Sequence, residues 1–232
     1  MRAADVMTAD VVAVGPETSV EEIVCLLLQH RISAVPVIDA AGRLLGMVSE
    51  GDLMLRAEPA PAGRRPWWLA MLSDSAVLAR DHVKPRGDRA GDVMTRGVVT
   101  VGEDAPIEEV ARLLERREIK RVPVMREGRV VGIVSRADLL RALASRTPAA
   151  EVRARPDGRL IRERVLAAMR AQPWWSGAGH ASVLVEDGVV HLWGAAPSPA
   201  ERTSMRVIAG TVPGVRAVED HLADWRGWAG VE

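Results

Sequence analysis

The sequence predicts an α/β (α+β) chain: two β-α-β-β-α repeats packed as a pair, then a small α-β-β-α-β domain. Three observations carry this. DVMT at residues 5–8 returns at 92–95, an offset of 87. VPV at 35–37 returns at 122–124 in the same register. Beyond the second repeat, Asp187-Gly188 separates two alternating apolar runs, which is a strong hairpin signal.

The repeat is consistent along its length. The same offset maps Gly15 to Gly102 and Glu21-Glu22 to Glu108-Glu109. At the turn the offset drops to 86, because Asp39-Ala40-Ala41-Gly42 faces the shorter Arg126-Glu127-Gly128. Turns tolerate such deletions. GMVSEGDL at 46–53 then matches GIVSRADL at 132–139. Each copy begins with a short extended piece, VVAV or VVTV. Glu17 to His30 and Asp104 to Arg117 follow with apolar residues at helical spacing, seen in Ile107, Val110, Ala111 and Leu114. Two apolar strands around a Gly-containing turn, and a closing helix, complete the unit. One unit leaves a sheet face uncovered, so two are expected to pack together.

Composition sets bounds on function. Basic and acidic residues balance at 31 each, so no whole-protein field draws in nucleic acid, and no nucleic-acid partner is expected. Cys25, the single cysteine, sits in Ile23-Val24-Cys25-Leu26-Leu27-Leu28 and is expected to be a buried core thiol. MRAADVMTAD has no signal-peptide pattern, so the cytoplasm is the expected location. Walker A, G-x-S-x-G, H-E-x-x-H and C-x-x-C patterns are absent, and no catalytic residues are expected. His191 and His221 fall on neighbouring expected strands, but two histidines without a third ligand make a poor metal site, so none is expected.

Two copies with DVMT, a central VPV and a closing G-h-h-S-x-x-D resemble the CBS domain family, whose tandem pair is called a Bateman module. On this reading residues 1–57 are the first copy, 58–90 a helical insert, and 91–145 the second copy. The resemblance implies a non-catalytic sensor holding an adenine nucleotide of the AMP, ADP or ATP type, with or without Mg²⁺, in the cleft between copies. It implies no cofactor, and a homodimer formed through the CBS modules. Ser135 and Asp138 would contact phosphate and ribose; Val99, Thr100, Arg121, Val122 and Pro123 would hold the adenine. In the first copy the corresponding residues are Ser49 and Asp52, with Ala13, Ala34, Val35 and Pro36.

The physics of the motif agrees with that assignment. A helix N-terminus offers free N–H groups and partial positive charge, which suit phosphate. Ser-x-x-Asp is also a capping box, useful only for starting a helix cleanly. The copies are unequal. The second carries Thr100, Lys120, Arg121 and Arg136 where the first has Ala13, Ser33, Ala34 and Glu50. Arginine pairs well with phosphate oxygens, so the second copy is expected to be the stronger site.

The insert contains Pro66-Trp67-Trp68-Leu69-Ala70-Met71-Leu72, expected to be a helix packed across the pair or a partner contact. Residues 146–156 read as a linker and 225–232 as a tail. Between them, 157–224 resembles the BON domain. Its expected parts are a helix from Arg159 to Gln172 with Leu160, Ile161, Val165, Leu166 and Met169 on one side, the Asp187-Gly188 hairpin, a helix capped by Ser198, and a strand from Val215 to Leu222. That resemblance implies a protein or phospholipid partner. Trp193 is expected in the core, whereas Trp174-Trp175 suits either a core or a binding surface. The competing overall reading is a membrane- or protein-binding adaptor in which the CBS pair is a dimeric scaffold.

Overall fold

The computed structural model describes residues 1–55, 89–145, 157–175 and 181–224. The expected insert helix with Trp67 and Trp68, the segment 146–156, and the tail with Trp225 and Trp228 lie outside the described residues. In chain order the first repeat gives α1 Ala3–Val6, α2 Val20–His30, β1 Ala34–Ile38, β2 Leu44–Ser49 and α3 Glu50–Leu55. The second gives α4 Ala90–Val93, β3 Val101–Gly102, α5 Ile107–Arg116, β4 Arg121–Arg126, β5 Arg129–Ser135 and α6 Arg136–Ala144. The last domain gives α7 Asp157–Arg170, β6 Ala181–Glu186, β7 Val189–Ala196, α8 Pro199–Thr211 and β8 Ala217–Asp224.

The expected leading strands are shorter than the sequence suggests. VVTV contributes only β3, parallel to β4. VVAV contributes a single parallel bridge, Val14 to Val37. The hairpins match their turn chemistry. Glu127 and Gly128 both have positive φ (51° and 77°), as do Asp187 and Gly188 (48° and 77°). Two-residue turns of this kind carry the twist that antiparallel strands need. In the longer first-copy turn, Asp39 Oδ1 accepts the N–H groups of Ala41 and Arg43, both at 2.9 Å.

The chain divides into two compact units, Ala13–Val98, and Met1–Val12 with Val99–Glu232. Each unit holds the body of one repeat and the leading arm of the other. Ala3, Ala4, Val6 and Met7 are buried with Val110, Leu114, Val122, Val124 and Val134 of the second repeat. Thr8 exchanges backbone hydrogen bonds with Ile133 at 2.9 and 3.0 Å. In the other unit Thr95 exchanges them with Met47 at 2.8 and 3.0 Å. The glycine of each second strand makes room for the arm. A Cβ on Gly132 would collide with Sδ and Cγ of Met7. One on Gly46 would meet Met94 Sδ at 2.6 Å and the Thr95 carbonyl oxygen at 2.8 Å.

In the unit Ala13–Val98, α2 buries Val20, Ile23 and Leu27. Cys25 is exposed, not a core thiol. Two residues along a helix is a rotation of about 200°, which carries its side chain away from Ile23. An apolar neighbourhood in sequence did not reveal which face the helix buries.

The last domain has the expected order. Its sheet runs β6-β7-β8, antiparallel then parallel. Ile161, Val165, Leu166 and Met169 of α7 pack with Val183, Val190, Leu192 and Leu222 and with Met205 and Ala209 of α8. Leu160 is exposed, contrary to its expected place on the buried side of α7. Trp193 is also not in this core. Alternation along β7 sends Val190 and Leu192 toward the helices, and His191 and Trp193 to the opposite face. There Trp193 stacks on His221 at 4.0 Å, and its Nε1–H donates to Ser145 Oγ at 3.1 Å. On that same side Leu184 joins the apolar cluster of the second repeat. Trp174 and Trp175 are partly buried against the helix-side core.

Arg162 ties this domain to the N-terminal arm. Its guanidinium donates to Val183 O at 2.8 Å, to Ala4 O at 3.0 Å and to Met7 O. Those last two carbonyls end the four-residue helix α1, where backbone acceptors have no helical partner. Burial pulls the Arg162 pKa down to about 10, against the pull of nearby Asp5, Asp138 and Asp10, so the group stays charged at neutral pH.

Replacing Gly132 by Ala is expected to destabilise the protein by about 1–3 kcal/mol through overpacking against Met7. A further Met7→Ala change in the same chain is expected to relieve part of that loss. Urea unfolding of the single and double variants measures both.

Candidate functional site

Of the second-copy residues, Lys120, Arg121, Ser135, Arg136 and Asp138 come together where β5 ends and α6 begins. Ser135 is the N-cap of α6, with extended backbone (φ −112°, ψ 168°). The β4–β5 register sets Arg121 opposite Ser135 and Val122 opposite Val134. Arg136, the first residue of α6, is exposed, and its N–H donates to the Lys120 carbonyl at 3.1 Å. Thr100 and Lys120 are exposed; Val122 and Pro123 are buried, and Val99 is half-buried. Pro123 and Val122 therefore offer backbone, not side chains, to any ligand.

Ser135 and Asp138 form a full capping box. Asp138 Oδ2 accepts Ser135 N–H at 2.8 Å and the Ser135 hydroxyl at 2.7 Å, and Asp138 N–H donates back to Ser135 Oγ at 3.3 Å. Asp138 Oδ1 accepts from Arg141 at 2.9 Å. The Asp138 residue is 3% exposed. Both carboxylate oxygens are thus engaged within the protein, and a ribose hydroxyl must displace or share one of these bonds.

The first-copy site is built alike. Ala34 lies opposite Ser49 in the β1–β2 register, and Val35 and Pro36 are buried. Ala13 is half-buried. Asp52 Oδ2 accepts from Ser49 N–H at 2.8 Å and from its hydroxyl at 2.6 Å. Here the second oxygen is taken by the Thr95 hydroxyl at 2.8 Å, a contact the sequence did not suggest. Its signal was the DVMT motif itself, whose last residue returns to the other repeat. Glu50 is exposed at the start of α3, which has only six residues. An acidic side chain there opposes phosphate.

A second cluster lies in the last domain. The β7–β8 register places His191 opposite Glu219 and Trp193 opposite His221. His191 Nδ1, His221 Nε2 and a Glu219 carboxylate oxygen lie within 4.8 Å of one another. The expectation of two histidines lacking a third donor is therefore corrected: Glu219 supplies it. Sequence reading missed Glu219 because only parallel pairing brings residues 191 and 219 side by side. Burial lowers the His191 pKa below its ordinary value, with Glu219 acting in the opposite direction.

Paired β-α-β-β-α units with a capped Ser-x-x-Asp after each second strand define a CBS module, and the α-β-β-α-β domain matches BON. The CBS domain family matches residues 3–58 and 90–145, and the BON domain family matches 157–223. The chain belongs to the CBS-domain family and carries a BON domain after its CBS pair. It is 33% identical over 139 residues to the chloroplastic CBS domain-containing protein CBSX1 of Arabidopsis thaliana, a match spanning 57% of this chain and 59% of that one. It is 30% identical to YlbB of Bacillus subtilis (strain 168), spanning 58% of this chain and 77% of that one. A crystal structure of CBSX2 in complex with AMP aligns with 28% identity and a TM-score of 0.49, covering 62% of this chain and 96% of that one. Among the described residues no helix is long and apolar enough to cross a membrane.

Ser135→Ala is expected to cost about 0.5–2 kcal/mol, the usual loss on removing a helix cap. Thermal unfolding followed by circular dichroism reads it directly.

Proposed function

We propose that the chain is a non-catalytic regulatory sensor that binds an adenine nucleotide at its second CBS copy. The observation that carries this reading is the convergence at one helix start. The nine-residue α6 is capped by Ser135, Arg121 lies beside that cap in register, and Arg136 is exposed at the first turn. Those features bring the positive end of a helix and basic side chains to one place, which suits a phosphate. The first copy, with Glu50 at the same place, is the weaker site. The module acts in the cytoplasm as a homodimer. Leu140 and Leu143, three residues apart on α6, support the pairing, since they are 66% and 65% exposed and share one helix face.

The BON domain relays the signal to a protein or phospholipid partner. Supporting this, Arg162 of α7 feels the charge of Asp138 and grips the arm carbonyls of Ala4 and Met7. A ligand that reorganises the Asp138 carboxylate changes the field at a buried cation of the neighbouring domain. The size of the response is limited by the ligand's preference for one arrangement over the other.

One observation favours the adaptor reading instead. Both Ser-Asp pairs are already satisfied by internal bonds, so the pairs serve a scaffold without any ligand.

Isothermal titration with AMP, ADP, ATP and S-adenosylmethionine separates the two. The sensor reading expects one nucleotide to bind, and Arg136→Ala to weaken it about tenfold, the loss of a charge-assisted contact of about 1.4 kcal/mol. Arg136 is exposed and outside the capping box, so this variant is expected to fold. Absence of binding by any of the four overturns the sensor, and vesicle co-sedimentation of the full chain then tests the adaptor.

A further inference from the structure

The geometry points to a divalent transition-metal site on the BON sheet, built from His191, Glu219 and His221. It is independent of the nucleotide reading and lies in a different domain. Three donor atoms form a nearly equilateral triangle. His191 Nδ1 lies 3.2 Å from His221 Nε2 and 3.2 Å from the Glu219 carboxylate oxygen, and that oxygen lies 3.4 Å from His221 Nε2. Tetrahedral bonds of about 2.0–2.1 Å set neighbouring ligand atoms about 3.3–3.4 Å apart. The triangle therefore has the edge lengths of one face of a zinc tetrahedron.

An ionised carboxylate accepts only, and each imidazole nitrogen is either a donor or an acceptor. With both facing nitrogens protonated, each N–H donates to the one Glu219 oxygen and hydrogen bonding closes the triangle. With both nitrogens as acceptors, three lone-pair donors converge on one point, and a cation at the centre makes all three contacts attractive.

The scaffold suits the role. His191 and Glu219 are cross-strand partners, and His221 follows Glu219 by two residues on the same face of β8. Trp193 stacks on the His221 ring at 4.0 Å with a 13° interplanar angle, which fixes its orientation. The Glu219 side chain is 55% exposed, so the cluster has access to ions in solution. Two imidazoles and a carboxylate suit Zn²⁺, Co²⁺, Ni²⁺ or Cu²⁺ better than Mg²⁺ or Ca²⁺, which prefer all-oxygen shells. Three protein ligands leave one position for water or an added ligand.

Cobalt is the probe, since its visible absorption reports coordination. The untagged 232-residue chain is titrated with Co²⁺, then with Zn²⁺. One equivalent of Co²⁺ is expected to give the intense bands of a tetrahedral ion, and Zn²⁺ to abolish them. Glu219→Gln and His221→Gln are each expected to weaken binding by more than about tenfold, the scale on which even outer-shell partners matter. His30→Ala, in the other unit, is expected to change nothing. Glu219→Gln keeps the shape of an exposed side chain, so its loss of binding does not report misfolding. Absence of tetrahedral bands in the parent chain, or binding unmoved by both cluster variants, overturns the site.

Discussion

The structure depends on a methionine seated over a glycine, twice. Met7 lies on Gly132 and Met94 on Gly46, at distances that leave no space for even one added carbon. Each contact brings an arm from one repeat onto the second strand of the other. The arm then adds its backbone to the strand through Thr8 or Thr95 and its alanines and valines to the core. The glycine in G-h-h-S-x-x-D is thus a packing requirement. The serine and aspartate that follow it begin a helix whose position the arm helps to set.

Arg162 extends that constraint into the BON domain. A buried guanidinium is costly unless its donors are satisfied. Here three carbonyls receive it, two of them from the end of α1 and one from β6. Around it, Arg170 pairs with Asp10, and Arg159 with Glu103 and Asp104. These outer pairs are partly exposed and each adds little on its own. They surround a central contact whose direction is fixed by the backbone.

Periodicity and punctuation made much of the fold legible. Asp187-Gly188 announced its hairpin because that turn needs two positive φ values, and Ser198 announced the start of α8. What stayed hidden depended on tertiary choice. Cys25 lies in an apolar run, yet the buried face of α2 is set by Val20, Ile23 and Leu27. Trp193 looked like core filler, but strand parity sends it to the face of His221. At the candidate site, Ser135 and Asp138 were visible as a motif, whereas the Thr95 bond to Asp52 and the approach of Glu219 to His191 required pairing between distant segments. Arg162 carried no pattern at all; its role comes from carbonyls more than 150 residues away in sequence.

The traded arms also bear on ancestry. A polypeptide with a single repeat has one arm and one glycine groove, and in this architecture its own arm does not fill its own groove. Two such polypeptides complete each other by reciprocal exchange, a domain-swapped pair. Joining the two genes head to tail preserves every one of those contacts within one chain. The tandem arrangement then reads as a fused swapped dimer.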